Sequence, residues 1–227
     1  MRLTSYFLAL QSAQFMPAQE HSTRATVPDA AANLVKAHNN WGPKASTPGT
    51  SAVLKESGRS GTIIRFRLYV EGAPKDTIYS LVAWPVTQKS PSKSMEGVTL
   101  DASGLAICAG TPGTCGGDKP NDPIDLIFQP VPGEPVRVGL ISTDGAIKVL
   151  VKTVPIPLRG EDRGCAVDAV LLTPGSELVL IEGSGFPAGT ALTLDTESEG
   201  ERHSQKVKVD AEGHYTSAVL PYKQGVA

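Results

Sequence analysis

The sequence predicts an all-β protein: two small antiparallel β-sandwich domains following a flexible N-terminal segment. Three observations carry that expectation. Apolar and polar residues alternate over short stretches, which is the period of half-buried strands. Three Asp-x-x-Gly or Asp-Gly signatures, at Asp101, Asp144 and Asp210, punctuate those stretches as turns do. Aromatic residues make up only 5% of the 227, while Gly (23) and Pro (18) are plentiful. Burial must therefore come from Val, Ile, Leu and Ala, held in short strands joined by tight turns. With 40% hydrophobic and 19% charged residues the chain can build a core.

Residues 1–18 have the outline of a secretory signal, with Arg2, an apolar Tyr6–Leu10 stretch and Ala18 at the cut. Gln11, Ser12 and Gln14 interrupt its middle, and the alternatives are a disordered cytoplasmic N-terminus or a signal truncated by a wrong start site. Residues 19–58 read as a polar linker. Within it a short helix is expected over Pro28–His38, with Pro28 near its start, Asp29 in the first turn and Leu34 and Val35 on an apolar side.

The first sandwich is expected over 59–158. In Thr62–Val70, residues Ile64, Phe66, Leu68 and Val70 share one face, while Arg65, Arg67 and Tyr69 share the other. Ile78–Val86 is a second strand, with Trp84 as its largest core candidate and Pro85 marking an edge or an end. One hairpin is expected around Asp101–Gly104, a strand over Ile124–Gln129, and a second hairpin around Asp144–Gly145. The pattern breaks over Pro155–Gly164, where the domain boundary is placed. The second domain, 165–227, contains strand patterns at 166–172, 178–183, 191–196, 204–210 and 214–220. The last two are expected to form a third hairpin through Asp210–Gly213.

The run Gly183-Ser184-Gly185-Phe186-Pro187-Ala188-Gly189-Thr190, followed by an alternating strand and by Asp210–Tyr215, resembles bacterial immunoglobulin-like modules of the IPT/TIG kind. The resemblance covers the C-terminal part only. It implies an Ig-like β-sandwich and carries no catalytic residues. A complete sandwich of that type has about seven strands, so a segment with fewer is expected to be incomplete or to borrow strands from a neighbour.

The formal net charge is −2 and no Lys/Arg cluster supplies a basic groove, which argues against nucleic acid as a partner. No apolar run is long enough for a transmembrane helix. Cys108 and Cys115 bracket a turn-rich loop and are expected to form a local disulfide. Cys165 is left over, as a buried thiol or one whose partner lies elsewhere. His21, His38, His203 and His214 form no ligand pattern and read as ordinary surface residues. Ser184 lacks the glycine spacing of a nucleophile elbow, and no phosphate loop is present. Asp118, Asn121, Asp122 and Asp125 form a weak calcium candidate, opposed by Lys119 and matching no EF-hand spacing. The acidic stretch Asp195–Glu201 reads as a strand end entering a charged hairpin loop. Trp41 is left open between linker and ligand platform.

No catalytic residue and no cofactor site is singled out. These readings point to a non-catalytic exported protein, periplasmic or extracellular, acting as an interaction, adhesion or scaffold module with a protein or glycan partner. The alternative is a carbohydrate- or small-ligand-binding accessory module with an exposed aromatic platform. A hydrolase ranks third, because it would need titratable groups converging in a cleft.

Overall fold

A computed structural model describes residues 29–109, 115, 121–198 and 200–220. The helix α1 spans Asp29–Asn40. Ala30, Ala31 and Ala32 favour it, and it stops before Gly42, whose φ of 126° suits glycine, and Pro43. The expected helix was Pro28–His38. Pro28 lies outside the described residues, and the helix runs two residues further at its C-terminus.

Eight strands follow: β1 (Ser51–Ser60), β2 (Ile63–Glu71), β3 (Tyr79–Ala83), β4 (Ser92–Leu100), β5 (Ala106–Cys108), β6 (Leu126–Phe128), β7 (Val136–Ser142) and β8 (Lys148–Thr153). They form two antiparallel sheets, β1-β2-β6 and β5-β4-β3-β7-β8. Ile64, Phe66, Leu68 and Val70 of β2 meet Leu81, Val98, Val138 and Leu140 of the other sheet, as alternation predicts. The β3 strand ends at Ala83, just before Trp84-Pro85, because proline cannot donate to the ladder.

Residues 51–58 differ from the linker reading: they belong to β1, paired with β2 along its length with a bulge beside Gly58. This edge strand is mostly polar, so its order comes from the backbone ladder and from half-buried Ala52 and Leu54, not from a strong apolar period. Residues 29–50 are likewise not a free tether, since α1 and Trp41 pack into the body of the molecule.

Six further strands form the second stack: β9 (Leu158–Asp162), β10 (Cys165–Leu171), β11 (Val179–Ser184), β12 (Ala191–Ser198), β13 (Glu201–Lys208) and β14 (Tyr215–Val219). The sheet β14-β11-β10-β9 faces the hairpin β12-β13 across Val167, Val179, Ile181, Leu194, Val209 and Tyr215. Residues 158–162, expected in a connector, pair with β10 instead. Their side chains are all exposed and several are charged, the usual dress of an edge strand, which erases the apolar period.

The turn signatures are local devices. Asp101 Oδ1 accepts from Ser103 and Leu105 N–H at 2.7 and 2.9 Å. Asp144 Oδ1 accepts from Ala146 N–H at 3.0 Å, and Asp210 Oδ1 from Glu212 and His214 N–H at 3.0 and 2.7 Å. The first two join paired strands. The third does not form the expected hairpin: β13 pairs with β12, and β14 crosses to β11. The turn reverses the chain, but the core chooses the partner.

Both stacks turn a second apolar face toward α1. Trp41, Val82, Trp84 and Leu150 cluster on the first, and Val170, Leu172, Leu178 and Leu180 on the second. Leu34 packs against both.

Candidate functional site

Two places concentrate chemistry. The first is the outer face of β1-β2-β6. With Ile64, Phe66 and Leu68 turned inward, strand geometry turns Arg65, Arg67 and Tyr69 outward. Register sets Val53 opposite Tyr69, Lys55 opposite Arg67, and Ile127 opposite Arg65. Two cations directly opposed across a ladder repel each other. Here Lys55 is drawn onto the Tyr69 ring, 4.3 Å from its centroid, and Arg67 Nε bonds Asp125 Oδ1 at 3.0 Å. Arg65 has no ion-pair partner among the described residues. Val53 and Ile127 stand 47% and 62% exposed beside these cations. The face therefore gathers three cations, Lys55, Arg65 and Arg67, beside exposed aliphatic surface.

The second place lies between α1 and the β5-β4-β3-β7-β8 sheet. Trp41 and Trp84 meet at 5.6 Å between ring centroids. The Arg137 guanidinium lies 3.8 Å over the Trp84 ring, with Nε donating to Trp84 O at 3.0 Å. Trp41 Nε1 donates to Val151 O at 3.0 Å, and Lys152 Nζ to the carbonyl of His38 at 3.2 Å, which caps the end of α1. Burial, helped by the charges of Lys152 and Arg137, pushes His38 down to about 3. Burial lowers Arg137 to about 10 against the pull of Glu134, and burial also lowers Lys152 against Glu182. At neutral pH the cluster thus holds a neutral imidazole near the Arg137 guanidinium.

His38 departs from the surface reading, being 2% exposed with no partner for Nδ1 among the described residues. Its spacing from Ala31, Leu34 and Val35, on the apolar stripe of α1, was the available signal. His203 and His214 are exposed, and His21 lies outside the described residues. Trp41 and Trp84 are both buried, so neither is the platform an aromatic sugar site would use.

Cys108 and Cys115 are bonded, with Cα atoms 5.7 Å apart. Cys165 is a half-buried free thiol whose Sγ donates to Gly185 O at 3.3 Å. Of the calcium candidates, three lie among the described residues. Asp125 is engaged by Arg67, and the backbones of Asn121 and Asp122 bond Cys108. Asp118 lies outside the described residues. No group of three or more His, Cys, Asp or Glu converges among the described residues. Ser184 ends β11 in a structural turn. Phe186 packs edge-on to Tyr215 at 5.4 Å, its N–H donating to Gly213 O at 3.1 Å.

The fold and these two places define an all-β chain of sandwich-like stacks that carries a cation-rich outer face on β1-β2-β6. No family model matches the chain, and no curated protein matches it. Among solved structures it is similar to the tetra-tandem repeat in the extending region of a large adhesion protein, at 10% identity and a TM-score of 0.24. That alignment covers 74% of this chain and 39% of the other, so this chain spans well under half of that length.

Proposed function

We propose that the protein is a non-catalytic exported interaction module, an adhesion or scaffold unit of the periplasm or cell exterior, whose basic β1-β2-β6 face engages an acidic protein surface. The opposition of Lys55 and Arg67, with Arg65 alongside and Asp125 paired to Arg67, carries the reading. A sheet that keeps like charges in register gains when an anionic partner covers them. Exposed Val53 and Ile127, with Tyr69 and two arginines, match the composition of protein interfaces more than the stacked aromatic rings of sugar sites. The disulfide supports an oxidising compartment.

A photo-crosslinking residue placed at Ile127, in the producing cell, is expected to give a discrete protein adduct. The same residue at Leu158 on β9 gives none, and Lys55→Glu with Arg65→Glu abolishes the Ile127 adduct. Adducts of equal yield at both positions, or survival of the adduct after charge reversal, would overturn the reading. Binding to a polyuronate matrix without any protein adduct would move it to the carbohydrate alternative. Intact mass with and without reduction tests export separately: loss of the N-terminal segment together with one internal disulfide is expected.

A further inference from the structure

His38 is a buried titratable ring that takes no part in the basic outer face. It is 2% exposed, and neither its Nδ1 nor the Nη1 and Nη2 of Arg137 has a hydrogen-bond partner among the described residues. Arg137 of β7 and Lys152 of β8 act on the imidazole with their charges. Glu182 of β11 and Lys44 act in turn on Lys152, and Glu134 on Arg137. Of the other elements near α1, β10 brings Asp168, which pairs with Arg159, and Cys165, whose Sγ donates to Gly185 O. As titratable groups β3 and β14 bring only Tyr79 and Tyr215, which lie in the inter-sheet cores. Lys148 of β8 and Asp29 and Lys36 of α1 are exposed. A proton on His38 therefore adds positive charge near a guanidinium, and a further donor where acceptors are already lacking.

The same end of α1 is its mooring. The carbonyl of His38 accepts from Lys152 Nζ, and Trp41 Nε1 donates to Val151 O. Ala31 and Val35 pack on the second stack, and Leu34 packs on both. The next anchored residues lie beyond Gly42, whose φ of 126° marks a freely turning joint. There Ser46 Oγ accepts from Leu150 N–H at 2.9 Å, and Thr47 N–H donates to Lys148 O at 2.7 Å. The chain is thus pinned to β8 on one side of the joint, while the helix on the other side is seated through a cluster that a proton disfavours.

We propose that α1 is an acid-released strap: a proton on His38 lifts residues 29–41 off both stacks about Gly42, while the stacks stay folded. Release uncovers Val82 and Trp84 on the first stack and Leu172, Leu178 and Leu180 on the second, and it removes the contact that Leu34 makes to both. The sign follows from linkage. The lifted ring regains its ordinary 6.5, whereas the docked ring is held at about 3, so docking is favoured above pH 6.5 and weakens as pH falls toward 3. Opening a single helix exposes less surface than unfolding the sheets, so it is reached first. The strap uses none of the residues of the basic outer face and stands apart from the reading built on them.

Hydrogen exchange of the full chain, read by mass spectrometry at half-unit steps from pH 8 to 5 and corrected for the chemical rate, measures the opening of α1. Between pH 7 and 5 the opening constant is expected to rise about 25-fold, the linkage value for a ring taken from 6.5 to about 3 on docking. The range ends above ordinary carboxylate values, so Asp and Glu contribute little to it. At each pH the α1 amides exchange at least about a hundredfold faster than those of β2 and β7, because the helix lifts without them. In His38→Gln the opening changes less than about twofold over the same range. Protection of α1 that is constant with pH, that equals the protection of β2 and β7, or that falls as steeply in His38→Gln, would overturn the strap. If His38→Gln leaves α1 undocked at pH 7, the parent profile decides alone. It must be nearly flat above pH 6.5 and approach about tenfold per unit below it, and a profile still flat at about pH 5.5 overturns the proposal.

Discussion

Acidification from pH 7 to pH 5 loads a proton onto His38 in the unfolded chain but not in the folded one. In the fold its imidazole is buried beside Lys152 and Arg137, and its affinity for a proton drops from an ordinary 6.5 to about 3. Between those values the unfolded state binds more protons than the native state, so stability rises with pH. The contribution of neutral His38 is fully present above pH 6.5, is lost progressively as pH falls toward 3, and is gone below that. The slope inside the window approaches about 1.4 kcal/mol per pH unit, which amounts to about 2 kcal/mol between pH 7 and 5. Urea unfolding followed by tryptophan fluorescence at half-unit pH steps measures it. His38→Gln replaces the titrating ring by a neutral amide, and its stability should be flatter with pH by about that slope. The absolute stability of the variant is immaterial, because only the difference in slope counts. Parallel pH profiles for the two proteins would refute the burial argument.

Gly183→Ala should lower the urea midpoint by the equivalent of at least about 2 kcal/mol, because a Cβ there would enter the Tyr215 ring; an unchanged midpoint would mean that β11 and β14 are not in this register. Replacing Cys108 and Cys115 by Ser should remove about 2.5 kcal/mol, the chain-entropy value for so short a loop. In the parent chain, alkylation without reductant should label Cys165 alone, as mass spectrometry will report.

What the sequence revealed and what it hid follow from where each strand draws its order. The β2 strand was legible because Ile64, Phe66, Leu68 and Val70 must share a dry face, and the same alternation announced Arg65, Arg67 and Tyr69 as the wet one. The β1 and β9 strands were hidden, since an edge strand is held by backbone pairing while its side chains stay polar. Asp210–Gly213 was read correctly as a turn and wrongly as a hairpin. An Asx turn is set by four residues, whereas the choice between β11 and β13 as neighbour of β14 is set by the burial of Val179, Ile181 and Tyr215. Arg137 follows Val136 in a strand whose alternation alone marks it as outward. Its burial comes from stacking on Trp84, which lies 53 residues away in the chain, and nothing near Arg137 signals that cover.

The docking of α1 also orders events in time. The Trp41–Val151 and His38–Lys152 bonds close spans of 110 and 114 residues. The helix leaves the ribosome before any strand of the described residues, yet neither of its seats exists until β3, β7 and β8 on one side and β10 and β11 on the other have formed. Long closures are slow to find. The nascent chain therefore carries this early-made helix as an unattached passenger until both seats have formed, with Trp84 and Leu180 uncovered meanwhile, and a chaperone that shields those two faces would be guarding the last step of assembly.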